Sequence, residues 1–349
     1  ETMGNNVPRL DYTDGGCPSL LLEPQRTNSF PYSEDIGKSN WTTNGGGTIK
    51  SLDNSKIAPD NSFGVYKIEN NSSSSNTPFC EDVISLSNNN TYTFSVYLYN
   101  NGNISNNNSY IYIFDSNNGQ RKVFIDANRT NEWYRLSVTA EIGASSSIET
   151  SGIQLSSADG DSIYFWGAQL EAGSYPTSYI PTNGSTVTRV AETANGSGDA
   201  ATFNDSEGVL MAEISALAND GTSRHFSIND GSAANKVEIY YDATTNEING
   251  HINVNGVSSA LFGEVVTSVS TFNKVLVKYK LNNFSFFVNG FKLGTDTSGV
   301  IFPNGTLNNL SFDKGNGTLD FYGKTKQLQY YDSALTDSEL EQLTSWTSF

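Results

Sequence analysis

The stretch that decides the fold reads Thr-Tyr-Thr-Phe-Ser-Val-Tyr-Leu-Tyr and occupies residues 91–99. Two kinds of side chain alternate along it, and successive side chains of a β-strand point to opposite faces of a sheet. The pattern therefore predicts a strand that turns one set toward a core, namely Phe94, Val96 and Leu98. Tyr97 and Tyr99 then lie on the opposite face.

The same alternation recurs on the C-terminal side of this strand, at residues 110–114, 133–139 and 163–170. Further on, Asn289-Gly290 separates two short apolar runs, and this dipeptide favours a two-residue hairpin. The frequent Gly, Asn and Ser residues supply turns between the strands. The sequence therefore predicts an all-β protein made of two tandem antiparallel β-sandwiches.

One helix is predicted, at the C-terminal end over residues 334–346. Thr336 and Glu339 have the spacing of a capping box, and Leu340 and Leu343 supply an apolar stripe.

The predicted domain order places an extended lead-in segment at residues 1–27, packed onto the first domain. Three prolines in this segment exclude a helix. The first domain follows at 28–188 and the second at 203–349. Residues 189–202 are rich in Ala, Asn, Gly and Ser, which is typical of a linker.

The net charge of the chain limits the classes of partner that it can be expected to bind. The chain has 20 Lys and Arg against 37 Asp and Glu, a net charge of −17. Such a surface repels phosphate backbones, so nucleic-acid binding is not expected. No run approaches the ~18–20 apolar residues of a membrane span, so no membrane insertion is expected either. A neutral glycan or a protein partner is compatible with this charge, and Cys17 and Cys80 leave the question of a disulfide open.

Aromatic residues on the polar strand faces are the first candidates for ligand binding. If the strands at 91–99 and 110–114 are neighbours, Tyr97, Tyr99, Tyr110 and Tyr112 share one face. Aromatic rings stack on the apolar faces of sugars, and phenol hydroxyls can hydrogen-bond to them. Ordinary cross-strand packing explains the same tyrosines.

Tryptophans are the second set of candidates. Trp41 lies in a polar, Gly-rich stretch, where it is either a loop-borne ligand contact or a staple on the sandwich. Trp133 and Trp166 are expected in the core.

A cation site is the third candidate. Asp159 and Asp161 flank Gly160, and carboxylates at this spacing can share Ca²⁺, although solvated turn acids explain them more simply. Calcium is the one cofactor with which the sequence is compatible, and no residue pattern requires it.

Catalysis is not expected. A glycosidase needs two carboxylates that face each other across the substrate, and no strand carries an alternating acidic pattern. Glu238 stands alone on its strand, and His225 and His251 are isolated along the chain. The sequence therefore indicates a binding protein and not an enzyme.

Two segments resemble a known group of proteins. Pro8-Arg9-Leu10-Asp11-Tyr12 with the run 19–28, and Phe165-Trp166-Gly167-Ala168-Gln169 with the runs 170–173 and 177–182, resemble tail-fibre and structural proteins of tailed bacteriophages. Their modules are similar to jelly-roll carbohydrate-binding modules. Residues 203–346 resemble a concanavalin A-like or laminin-G-like sandwich, through the runs 287–291, 326–331 and 334–340.

The resemblance implies a non-catalytic virion component, a tail fibre or a head decoration, that contacts host cell-surface glycans. It also implies other virion proteins as partners, a homo-oligomer, and a location on the virion surface or outside cells. Two alternatives stay open. The chain is then either the carbohydrate-binding region of a secreted polysaccharide-degrading enzyme or a purely structural capsid or tail protein.

Overall fold

The computed structural model describes residues 8–44, 47–71 and 79–346. The chain divides into two compact units. We call Gln25–Val190 the first sandwich, and Glu1–Pro24 together with Ala191–Phe349 the second sandwich. Both units consist of antiparallel sheets, and a short helix ends the described chain. The predicted fold class is confirmed.

The strands and the helix are numbered along the chain. They are β1 Leu10–Asp11, β2 Ser19–Leu22, β3 Arg26–Asn28, β4 Trp41–Asn44, β5 Thr48–Ile57, β6 Phe63–Asn70, β7 Phe79–Val83, β8 Thr91–Tyr99, β9 Tyr110–Asp115, β10 Gly119–Phe124, β11 Trp133–Glu141, β12 Glu149–Gln154, β13 Ser162–Ala172, β14 Val187–Arg189, β15 Asn195–Ser197, β16 Glu207–Ala216, β17 Arg224–Asn229, β18 Lys236–Tyr241, β19 Glu247–Val254, β20 Val257–Val265, β21 Asn273–Lys280, β22 Phe284–Val288, β23 Phe291–Asp296, β24 Asn309–Ser311, β25 Gly323–Tyr331 and α1 Asp337–Thr344.

The first sandwich has two main sheets, ordered β10-β9-β12-β7-β4 and β11-β8-β13-β6-β5, and β14 pairs with β3 beside them. Apolar side chains from both sheets fill the space between them, as the strand periodicity requires. The predicted inward set of β8 is fully buried in this core, which also takes Ile111 and Ile113 of β9. The alternation predicted for these strands is therefore confirmed.

The second sandwich pairs the sheet β1-β2-β25-β16-β21-β22-β23 with the sheet β15-β24-β17-β18-β19-β20. The predicted hairpin is present, with Asn289 and Gly290 at φ 52° and 89°, both in the left-handed region. Helix α1 covers the outer face of the first of these sheets, where Leu340 packs on Met211 and Phe287. Its capping box at Thr336 and Glu339 is confirmed.

The lead-in segment departs from the expectation that it packs onto the first domain. β1 and β2 belong to the second sandwich, where Leu20 and Leu22 stand opposite residues of β25. Leu22 is buried in the core of that unit. Residues 20–22 are three consecutive leucines, so no alternation of apolar and polar side chains indicated which sheet they join. Residues 1–7 of this segment lie outside the described residues.

Three further features concern the predicted linker, the two cysteines and the helices. Within the segment predicted as a linker, Asn195–Ser197 forms β15, which pairs with β24. Cys17 and Cys80 are both free, one exposed and the other buried. In the part of the chain that the structure describes, no helix has the length and apolar character to cross a membrane.

Candidate functional site

The four candidate tyrosines lie on two separate sheets of the first sandwich. Tyr97 and Tyr99 belong to β8, whereas Tyr110 and Tyr112 belong to β9 in the facing sheet. Since the neighbours of each tyrosine on its own strand fill the core, both pairs point outward from the sandwich. The expected single four-ring surface is therefore wrong, because β8 and β9 are consecutive strands that lie in different sheets.

The Tyr97 face is the outer face of the sheet that contains β8, with Tyr97, Tyr99, Trp133, Tyr164, Trp166 and Tyr179. Its rings pack on one another, and Tyr97 contacts Trp166 at 5.6 Å and Tyr179 at 6.3 Å between ring centroids. Ala58 and Val65 complete a small buried cluster with Trp166. Most of this face is thus an apolar layer inside the protein, which leaves few ring surfaces open.

One edge of the Tyr97 face is accessible. A shallow depression of about 660 Å³ is lined by Tyr99, Trp133 and residues 55–59 and 61. The ammonium group of Lys56 lies 2.9 Å from the centroid of the Tyr99 ring and covers it. The indole Nε1 of Trp133 donates to the carbonyl of Ile57 at 2.9 Å. The depression therefore presents rings that already have protein partners.

The Tyr110 face is the outer face of the sheet that contains β9. Residues directly opposite each other share this face, which gives one row of Phe124, Tyr110 and Gln154. The next row contains Lys122, Tyr112, Gly152 and Glu81. Both tyrosines are buried beneath these neighbours, whereas Phe124 is 49% exposed.

Gly152 allows the second row to form. A Cβ atom at this position would lie 2.2 Å from the carbonyl oxygen of Cys80, so only glycine permits β12 and β7 to approach this closely. With no side chain at Gly152, the phenol of Tyr112 reaches across and donates a hydrogen bond to the carboxylate of Glu81. Burial and this carboxylate both raise the pKa of Tyr112.

Tyr110 lies within hydrogen-bonding distance of two glutamine side chains. Its hydroxyl lies 3.1 Å from the amide oxygen of Gln120 and 2.6 Å from that of Gln154. A phenol has one proton to donate, so it satisfies one amide oxygen and the other amide keeps hydrogen-bonding capacity toward solvent. Burial raises the pKa of Tyr110, which keeps the hydroxyl protonated. The result is a set of positioned amides next to an exposed ring, Phe124.

The three candidate tryptophans are distributed differently from the expectation. Trp41 is 1% exposed, packs on Phe30 and Phe165, and donates its Nε1 hydrogen to the carbonyl of Tyr32. This burial leaves no ring face for a ligand, so Trp41 has the role of the staple. Trp133 and Trp166 were expected in a core. Trp166 is 2% exposed and is packed in a small buried cluster, whereas Trp133 is only partly buried against that cluster.

The two carboxylates of the candidate calcium pair have different surroundings. Asp161 is buried and accepts hydrogen bonds from the backbone of Ser105 and the hydroxyl of Ser156, whereas Asp159 is exposed. The carboxylate of Asp161 therefore fixes its own loop. Across residues 8–44, 47–71 and 79–346, no group of three or more His, Cys, Asp or Glu side chains is placed to hold a metal ion.

The second sandwich brings together charged residues that the sequence analysis treated as isolated. Glu238 of β18 lies opposite His251 of β19, and one carboxylate oxygen is 3.0 Å from Nδ1 of His251. Its other oxygen is 2.9 Å from Nδ1 of His225. Lys236 forms an ion pair at 2.5 Å with the oxygen that faces His251. Glu238 is thus the centre of a buried network on the outer face of this sheet.

The network favours an ionised carboxylate. Burial opposes ionisation of Glu238, but the hydrogen bonds from His225 and His251 and the charge of Lys236 hold its pKa well below the usual range. Burial lowers the pKa of His225 and of Lys236, against the attraction of Glu238. His225 also stacks on Tyr240, with ring centroids 4.4 Å apart.

Sequence reasoning missed this network for an identifiable reason. Lys236, Glu238 and Tyr240 alternate with buried apolar residues on β18, so their shared outward face was readable. The histidines come from β17 and β19, and their register against β18 depends on hairpin lengths that the pattern does not specify.

Comparison with known proteins identifies one family match. Residues 30–161 match the model of a family described as a carbohydrate binding domain. This span covers less than half of the chain and lies within the first sandwich. It contains every strand of the sheet β10-β9-β12-β7-β4, whereas β13, the middle strand of the other sheet, lies beyond its end. No curated protein matches the chain.

Several solved structures are similar to parts of the chain. The IT-sialidase CBM40 of Ruminococcus gnavus is 17% identical over 44% of this chain and 97% of its own, with a TM-score of 0.36. A leech intramolecular trans-sialidase is 21% identical over 45% of this chain and 27% of its own, with a TM-score of 0.37. Domains LG4-5 of the mouse laminin α1 chain are 11% identical over 76% and 89%, with a TM-score of 0.30.

Proposed function

We propose that the first sandwich binds neutral glycans on its Tyr110 face and carries out no catalysis there. The observation that carries the proposal is the row Phe124–Tyr110–Gln154, where an exposed ring adjoins two glutamine amides that lie within hydrogen-bonding distance of one phenol. Sugar recognition combines stacking on an aromatic ring with hydrogen bonds from positioned polar groups. The match of this span to a carbohydrate binding domain family supports the proposal.

The Tyr97 face is the less favourable location. Its rings contact one another, and Tyr99, at the accessible edge, is covered by Lys56. A sugar would have to displace this ammonium group before stacking on the ring. On the Tyr110 face, Phe124 is 49% exposed, and the ammonium group of Lys122 lies farther from its ring centroid, at 5.2 Å.

The test measures glycan binding by the intact chain. Neutral oligosaccharides are screened on an array, and the best ligand is titrated by calorimetry against Phe124→Ala and Gln154→Ala. Loss of stacking or of one positioned amide costs about 1–2 kcal/mol, so each change should weaken affinity roughly 5- to 30-fold. Phe63→Ala is the matched control, because this phenylalanine is 68% exposed on the opposite sheet and its loss should change nothing.

Two results would contradict the site. Unchanged affinity in both Tyr110-face variants removes it. Loss of affinity in Tyr99→Ala with unchanged affinity in Phe124→Ala moves the site to the Tyr97 face. Thermal unfolding of each variant distinguishes lost contacts from a lost fold.

The biological setting is a further part of the proposal. We propose that glycan binding serves attachment of a bacteriophage virion to its host cell, with the chain in a homo-oligomeric tail fibre or head decoration outside cells. The resemblance of the segments 8–28 and 165–182 to tail-fibre proteins supports this setting. Electron microscopy with an antibody against the chain tests it. Labelled virus particles are expected, and a secreted glycan-degrading enzyme carrying this chain would contradict it.

A further inference from the structure

A second feature, independent of glycan binding, lies on the outer face of the second sandwich. Ser258 of β20 places its Oγ 3.1 Å from Nε2 of His251, and Nδ1 of the same ring is 3.0 Å from Glu238. The three side chains therefore form a continuous hydrogen-bonded chain of hydroxyl, imidazole and carboxylate. A base that contacts a hydroxyl and is oriented by a third group is the arrangement that activates nucleophiles.

A β-bulge creates this arrangement. The pairing of β19 with β20 shifts register between Ile252 and Asn253, so that Ile252 pairs with Ala260 but Asn253 with Ser258. The extra residue is Ser259, which is buried. Without the bulge, Ser258 would lie on the opposite face from His251. Bulges re-aim side chains in this way and are frequent next to active sites.

The network around Glu238 fixes the state of the imidazole. The ionised carboxylate accepts a hydrogen bond from Nδ1 of His251, so the proton of the neutral ring is on Nδ1. Nε2 then carries the lone pair and accepts a hydrogen bond from the hydroxyl of Ser258. This is the tautomer that a general base requires, and it is set by residues that the protein holds buried.

Access to the hydroxyl is open. Ser258 is exposed on β20, which is the edge strand of its sheet, and His251 is partly exposed beside it. A reagent can therefore reach Oγ from solvent without any movement of the chain. A small ester can react at this open surface without a binding pocket, whereas a long acyl chain would have few side chains to contact.

We propose that Ser258 is a nucleophile that accepts acyl groups from small esters, with His251 as the general base and Glu238 as the residue that positions it. Oγ attacks the ester carbonyl while its proton passes to Nε2 of His251. The tetrahedral intermediate expels the alcohol, which takes that proton, and an acyl-serine remains. Water then hydrolyses the acyl-serine by the same base and releases the carboxylic acid.

The experiment uses the intact chain with two probes, p-nitrophenyl acetate and a fluorophosphonate. Oγ attacks the phosphorus of the fluorophosphonate and displaces fluoride, and the P–O bond that forms leaves a stable adduct, which mass spectrometry of peptides should locate at Ser258. Ser258→Ala should abolish both the adduct and the release of nitrophenolate. His251→Gln removes the base and should slow labelling about 10²-fold or more.

Ser298→Ala is the matched control. Ser298 is also exposed, but its hydroxyl donates to the carboxylate of Asp296 and not to an imidazole. This variant should label at the wild-type rate. Thermal unfolding should be unchanged in Ser258→Ala, because the side chain is exposed.

Three outcomes would overturn the proposal. One is wild-type protein that labels no faster than Ser258→Ala, and another is an adduct at a different residue. The third is His251→Gln that labels at the wild-type rate, since the hydroxyl would then react without its base. Each outcome leaves glycan binding by the first sandwich unaffected, so the two proposals fail separately.

Discussion

Asp82 is an ionisable residue that the fold of the first sandwich buries, where a charged side chain is unfavourable. It lies on the core side of β7, is 2% exposed, and its Oδ2 has no hydrogen-bond partner among the described residues. Burial raises its pKa from 3.8 to about 6, against a backbone hydrogen bond at Val83. An ionised carboxylate here costs free energy because little replaces its hydration.

This raised pKa predicts a pH-dependent stability. Protonated Asp82 is favoured in the folded state, so its contribution is fully present below pH 3.8 and is lost as pH rises through about 6. We expect Asp82→Asn to stabilise the first sandwich by roughly 1–3 kcal/mol at pH 8 and very little at pH 4. Urea unfolding at both pH values measures this. Asp159→Asn, at an exposed turn, is the control, and an equal effect at both pH values would contradict the account.

At the same scale, the sequence identified inward and outward residues better than it identified contacts. The inward set of β8 was predicted correctly because alternation is a local property. The polar neighbours of Trp41 allowed both a ligand contact on a loop and a staple on the sandwich, and packing on Phe30 and on the distant Phe165 decides for the staple. Burial of a large ring depends on such distant partners, which local composition does not reveal.

At the scale of elements, β2 is expected to be part of the core of the second sandwich. Leu22 is 6% exposed and packs in that core, whereas Leu10 of the neighbouring β1 is 45% exposed. We expect Leu22→Ala to destabilise the second sandwich by about 2–4 kcal/mol and Leu10→Ala by less than about 1 kcal/mol. Hydrogen exchange of β25 amides measures the difference. Equal protection in the two variants would contradict the placement of β2.

The same elements show why strands were easier to predict than sheets. The predicted strand at 91–99 has the observed bounds of β8, and the predicted hairpin joins β22 to β23. Pairing between strands is not local, as the partners β2 and β25 are about 300 residues apart. Because strand pairing is not local, the sequence did not show that the four candidate tyrosines lie in two sheets. For the same reason it did not show the Glu238 network.

At the scale of the whole molecule, the net charge of −17 sets an expectation about salt. Stacking on Phe124 and amide hydrogen bonds to a neutral sugar involve no charge pairing. We therefore expect the affinity for a neutral glycan to change less than about twofold between 50 mM and 500 mM NaCl. Calorimetry across this range tests the expectation. A steep fall in affinity with salt would show that the ligand carries charge, and Lys122→Gln would then identify whether Lys122 contacts it.

The most direct test of the glycan-binding surface is a crystal structure of the intact chain with the oligosaccharide that binds best. The account predicts a sugar ring stacked on Phe124, with hydroxyls within hydrogen-bonding distance of Gln120 or Gln154. A sugar bound beside Tyr99 and Trp133, or anywhere on the second sandwich with the Tyr110 face empty, would contradict it.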